Sequence, residues 1–134
     1  MNKGYLSFVL HAHLPYVRHP EYEEFLEEDW LYEAITETYI PLLEMFENLT
    51  RDNIPWNLTL TMSGTLVNML NDDLLRNRYV KHITKLVELC EKEVERLKPY
   101  PDMIKVANHN LHVHKTAKDI FVNKYHKDLV GAFR

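Results

Sequence analysis

Two short strand-like runs, set apart by a loop and a long amphipathic stripe, constrain this chain more than anything else in it. The first, Tyr5–Leu10, is nearly all apolar, the pattern of a strand buried on both faces in a parallel sheet. The second, Trp56–Met62, alternates Leu58, Leu60 and Met62 with Asn57, Thr59 and Thr61, the period of two of a strand. Between them Leu31, Ile35, Tyr39, Leu42, Phe46 and Leu49 recur at threes and fours. That spacing predicts a helix over Glu28–Leu49, which Pro41 kinks or divides. Ser63-Gly64-Thr65 ends the second strand, and Leu66–Leu70 reads as one or two helical turns. Asn71 or Asp72 is a fitting cap for the next helix. That helix, Leu74–Lys98, carries the stripe Leu75, Tyr79, Ile83, Leu86, Cys90, Val94 and Leu97. Pro99-Tyr100-Pro101 ends it, Arg51-Asp52-Asn53 having turned the chain earlier. A last helix is expected from Asp102 to about His126, through Val106, Val113, Ala117 and Phe121. Strands alternating with long helices mean an α/β layer architecture. Two parallel strands need partners on both sides, so the chain reads as the start of something larger.

Length and charge narrow the field further. At 134 residues the chain suits one domain and falls short of the roughly 250 residues of a complete (β/α)8 barrel. Lys+Arg 16 against Asp+Glu 20 leaves a net charge of −4, a poor balance for gripping nucleic acid. The lysines at 115, 118, 124 and 127 read as a solvated helix face. The lone Cys90 forms no internal disulfide and reads as a small core residue. The apolar run after Lys3 is too short for a membrane span and lacks a cleavage pattern. We therefore expect no membrane association, a cytoplasmic location, and chance matches to the glycosylation sequon at Asn48 and Asn57.

The residues with chemistry gather after the first strand, in His11-Ala12-His13-Leu14-Pro15-Tyr16. The C-terminal edge of a parallel sheet is where α/β folds bind ligands. On a continuing strand, residues two apart face the same side. Two such imidazoles can bind a metal, exchange protons, hold hydroxyl groups or serve structure alone. A metal needs further ligands, and the later segments offer none at an obvious strand end. The loop Glu21–Trp30 is rich in carboxylates and aromatic rings, a mixture common in carbohydrate sites. It reads equally well as a solvated acidic loop with Trp30 tucked into the core. His109, His112 and His114 lack a completing cysteine or acid, and His114 falls off the face shared by the other two, so no metal site is expected there. No cofactor signature is present.

The stretch Tyr5–Leu43 closely resembles the opening of glycoside hydrolase family 57. The residues that carry the likeness are His11-Ala12-His13-Leu14-Pro15-Tyr16-Val17, His19-Pro20-Glu21, Phe25-Leu26-Glu27-Glu28 and Trp30–Leu43. Leu60-Thr61-Met62-Ser63, Leu74-Leu75 with Arg78-Tyr79, and Glu91–Arg96 extend it. Gly64-Thr65 departs from the proline-rich continuation usual in the family, and His109–His114 departs from its usual helix. Within the family the likeness is greatest to the α-1,4-glucan branching enzymes and the long amylase-like bacterial members.

The resemblance implies the N-terminal portion of a (β/α)7 barrel, with residues 1–134 forming a partial catalytic domain. It implies a retaining enzyme acting on α-glucan, in which branching members move a chain from an α-1,4 to an α-1,6 linkage. His11 and His13 match the motif that lines the donor-sugar pocket, and Trp30 matches an aromatic position near the substrate cleft. The family's nucleophilic glutamate and acid/base aspartate lie in motifs on later strands, which this sequence does not reach. No catalytic residue is therefore expected in it, and the chain alone is expected to be inactive. Two other readings stand beside this one. A binding or subunit protein of the same fold would self-associate, or pair with a complementing fragment, through the open sheet edge. A separate metal-dependent hydrolase would bind zinc through His11 and His13.

Overall fold

A computed structural model describes residues 4 and 6–134. Strand β1 (Val9–Ala12) and strand β2 (Thr59–Met62) form a two-stranded parallel sheet, with His11 opposite Thr61 and Ala12 opposite Met62. The helices are α1 (Glu28–Ala34), α2 (Ile40–Arg51), α3 (Gly64–Asn71), α4 (Asp73–Leu97), α5 (Pro101–Asp119) and α6 (Leu129–Ala132). One π-helical segment, Ile35–Tyr39, joins α1 to α2, and another, Ile120–Lys124, extends α5. The class is the expected one: two parallel strands, several long helices, and a sheet not closed into a barrel.

The first strand differs from its expectation in position and in burial. It begins at Val9, and Tyr5 lies outside the described residues. Pairing with Thr59–Met62 fixes where the ladder runs, so His11 lies within the strand and His13 just past it. Burial alternates along both strands. Leu10, Ala12, Leu60 and Met62 are half-covered, while Val9, His11, Thr59 and Thr61 are exposed. Helices cover one face only, so the apolar run is not buried on both.

The helix divides after Tyr39, as expected of Pro41, but without a break: the flanking residues keep helical dihedrals. A proline has no N–H, and its ring collides with the carbonyl four residues back. The chain widens ahead of it instead: the Ile40 N–H bonds to the Ile35 carbonyl, one residue farther back than in an α-helix. The extra residue in that turn shifts the apolar stripe. Leu31, Ile35 and Tyr39 are buried as expected, but Ile40 and Leu43 then take over from Leu42.

The core lies where this helical layer meets α4. Leu66, Tyr79, Ile83 and Leu129 are fully buried, with Leu31, Met69, Leu75 and Phe121 around them. The Tyr79 ring meets Phe121 edge-on at 4.6 Å, and its hydroxyl shares a 2.9 Å hydrogen bond with Thr36. Burial pushes the Tyr79 phenol up to about 12, so it keeps its proton. Helix α4 packs against α5 as a hairpin, bridged by the Glu91–Lys115 ion pair at 2.7 Å. On α5, Ala107, Ala117, Ile120 and Phe121 face inward, whereas Val106 is 61% exposed. The expected stripe therefore held for Ala117 and Phe121 and failed for Val106. Cys90 is half-buried, and burial raises its thiol pKa, which makes it a poor nucleophile.

Candidate functional site

The covered and bare faces of the sheet decide where the site lies. The covered face sends Leu10, Ala12, Leu60 and Met62 toward the helices. The bare face presents His11 and Thr61 side by side, and His13 continues the line past the strand end. The two imidazoles stack with centroids 5.9 Å apart and planes 12° from parallel. Both rings are exposed, so their edges are open to a polar ligand. His11 Nδ1 lies 2.7 Å from Thr61 Oγ1. The strand parity expected of the pair is thus present, together with a partner that the sequence did not reveal.

The segment leaving this edge is tied down at every few residues. The Thr65 hydroxyl donates to the Leu14 carbonyl at 3.3 Å. The Val17 N–H reaches Met69 Sδ at 3.3 Å. Arg18 pairs with Asp72 at 2.7 Å. Asp72 also caps α4, accepting from the Leu75 N–H at 3.0 Å. Burial works to raise the Asp72 pKa, but the Leu75 N–H and Arg18 outweigh it and hold the carboxylate below its ordinary range.

A buried carboxylate fixes the next stretch. Glu28, in the first turn of α1, is 1% exposed. It accepts a hydrogen bond from the Tyr32 hydroxyl at 2.8 Å and is paired with Arg78 of α4. Arg78 also donates to the backbone carbonyls of His19 and Tyr22. Burial and the Glu28 carboxylate drive the Tyr32 phenol pKa far upward. A cavity of about 330 Å³ adjoins this cluster, walled by Glu24, Asp29, Lys81, His82 and Lys85 among others. Part of its charge is paired: Glu24 bridges both lysines, and Asp29 lies 3.6 Å from His82, whose pKa burial lowers. This is a clasp between loop and helix, which the sequence showed only as an acidic loop and a separate helix.

Trp30 stands in the first turn of α1 and is 51% exposed. The reading that tucked it into the core is therefore wrong. The α1 stripe turns Leu31 inward and leaves its neighbour facing out. The indole is available to a ligand, and it is not among the rings that stack with the histidine pair. His109 and His112 are exposed on α5, and His114 turns to the Asn110 carbonyl at 2.7 Å. Among the described residues no group of three or more histidines, cysteines or acids is placed to hold a metal ion. Among the same residues no helix is long and apolar enough to cross a membrane.

The comparisons agree with the fold. Residues 7–134 match the model of glycosyl hydrolase family 57. The chain is 37% identical over 93 residues to the 1,4-alpha-glucan branching enzyme TK1436 of Thermococcus kodakarensis, covering 69% of this chain and 14% of that protein. It superimposes on the crystal structure of the alpha-amylase AmyC from Thermotoga maritima with a TM-score of 0.88 at 43% identity, covering 95% of this chain and 24% of that one. The branching enzyme of Pyrococcus horikoshii gives a TM-score of 0.87 at 30% identity, covering 97% and 24%. The chain thus spans about a quarter or less of the length of each of these relatives. By the extent of the family match and its agreement with the fold, the chain belongs to glycosyl hydrolase family 57.

Proposed function

We propose that this chain supplies the sugar-holding opening of an α-glucan-active enzyme, most like a 1,4-α-glucan branching enzyme. The observation that carries the reading is the stacked, exposed pair His11 and His13 on the bare sheet face. Two imidazole edges on one face suit the hydroxyl groups of a glucosyl unit, and Trp30 offers a ring for an apolar sugar face. In the complete reaction, a glutamate and an aspartate from later motifs act as nucleophile and acid/base in a retaining double displacement. His11 and His13 then hold the sugar next to the reacting bond, through hydrogen bonds that can strengthen in the transition state. They do not take part in bond making. The 134 residues alone are therefore inactive.

The test has two arms. Purified chain is assayed for release of reducing ends and for loss of iodine staining of amylose, and we expect neither. Activity abolished by a single substitution within these residues would overturn that. In the family enzyme that contains this segment, His11→Ala and His13→Ala should each lower kcat/KM on amylose about tenfold or more, the scale of losing a strengthened hydrogen bond in the transition state. Full activity in both variants contradicts the sugar-holding role.

A second reading concerns association. Both outer edges of the described two-stranded sheet are unpaired, and Leu6, Phe8 and Val9 beside them are exposed. Such edges template pairing with another strand. We propose that the isolated chain self-associates or takes up a complementing segment there. Sedimentation velocity should show association that increases with concentration and is suppressed by Val9→Lys. A monomer at all concentrations contradicts it.

A further inference from the structure

His11 has one hydroxyl neighbour within hydrogen-bond distance, and the direction of that bond decides the ring's tautomer. Thr61 sits directly opposite His11 in the parallel pairing, with its hydroxyl oxygen 2.7 Å from His11 Nδ1. A threonine hydroxyl has one proton to donate and lone pairs to accept with. The Leu10 carbonyl lies 3.4 Å from the same hydroxyl oxygen across the ladder and offers its proton an acceptor. With the proton turned there, lone pairs face His11 and the hydrogen in the 2.7 Å contact is the one on Nδ1. We infer that Thr61 is a positioning residue that holds neutral His11 as its Nδ1–H tautomer and turns Nε2 outward as a hydrogen-bond acceptor. A ring hydrogen-bonded on one nitrogen and stacked on His13 has lost its freedom to rotate. It meets a ligand with a fixed acceptor, which suits a donating sugar hydroxyl. The last step rests on the sugar-holding reading of the pair, whereas the tautomer does not.

The sequence explains why this residue is threonine. The position lies within a strand, which favours a β-branched side chain, and on the bare face, where a hydroxyl costs nothing in burial. Valine keeps the shape and removes the hydroxyl, while serine keeps the hydroxyl.

The test reads the imidazole directly. Long-range 1H–15N correlation spectra of the histidine-labelled chain at about pH 8, above the ordinary histidine range, report which ring nitrogen carries hydrogen. Wild type and Thr61→Ser should show His11 protonated on Nδ1. Thr61→Val should move His11 toward the Nε2–H form that predominates in free histidine. A wild-type spectrum with hydrogen on Nε2 overturns the inference, and so does Thr61→Val with the wild-type tautomer. Wild type alone decides the matter if Thr61→Val fails to fold. Maltohexaose is then titrated into the same samples. Thr61→Val should bind about fivefold more weakly, the scale of one net hydrogen bond, with Thr61→Ser near wild type. An Nδ1–H tautomer with no maltohexaose response in any variant supports the role of Thr61 and overturns the sugar-holding reading.

Discussion

Single side chains set the geometry around the sheet edge, and Glu28 is the most consequential of them. Its carboxylate is buried, and Arg78 with only 14% of its side chain exposed is its counter-charge. Breaking such a pair from one side leaves a charge with nothing to face. Glu28→Ala should destabilise the chain by about 3 kcal/mol, read as a lower urea midpoint. Joint replacement with Arg78→Met should cost clearly less than the sum of the two single changes, because the charges act as a unit. Additive losses would contradict the pairing. Asp72 gives a pH signature. Its folded pKa is depressed below the ordinary 3.8, so its contribution is complete above that value and is lost as pH falls through the lowered one. Asp72→Asn should therefore lose less stability than wild type between about pH 5 and about pH 3. Equal losses would show that the carboxylate contributes nothing through its charge. Glu24, Glu47 and Glu93 are also held low by their partners, and Glu21 by its own backbone N–H and His19, so the variant keeps part of the acid sensitivity.

Among the elements, the π-helical turn before Pro41 shows where sequence reasoning stops. The apolar spacing placed a helix over Glu28–Leu49, and a helix is there. It also put Leu42 on the buried stripe, because a constant 3.6-residue period was assumed. Pro41 removes a donor, the turn takes in one more residue, and Leu43 becomes the buried position. Nothing local says whether a proline will kink, divide or widen a helix, because that also depends on what the segment packs against in the tertiary fold. The register predicts a contrast: Leu43→Ala should cost about 2–4 kcal/mol and Leu42→Ala under about 1 kcal/mol. The reverse order in chemical denaturation would contradict the widened turn. The helix caps were easier to foresee. Asp72 was one of two candidates and caps α4, and Ser63, expected to end the strand, also caps α3. His11 and His13 were legible because strand parity is a local property. Thr61 was not, although its outward parity was, because the register of two strands distant in sequence is set by tertiary packing. Glu28 and Arg78 were hidden for the same reason.

At the scale of the whole molecule, the bare sheet face and the two unpaired edges belong together. A parallel sheet is ordinarily covered on both faces, and here the helices cover one. In a (β/α)7 barrel, helices lie outside and the other face turns inward. In such a barrel the face that carries His11, His13 and Thr61 is the interior. The sugar-holding role we propose for His11 and His13 fits that placement. The account stands most directly on a crystal structure of the chain, or of the family enzyme containing it, soaked with a maltooligosaccharide. It predicts a glucosyl unit over the bare face, with hydroxyl oxygens within about 3.2 Å of His11 Nε2 and of a ring nitrogen of His13. A sugar bound elsewhere with this face empty, or a metal ion shared by the two histidines, would contradict it.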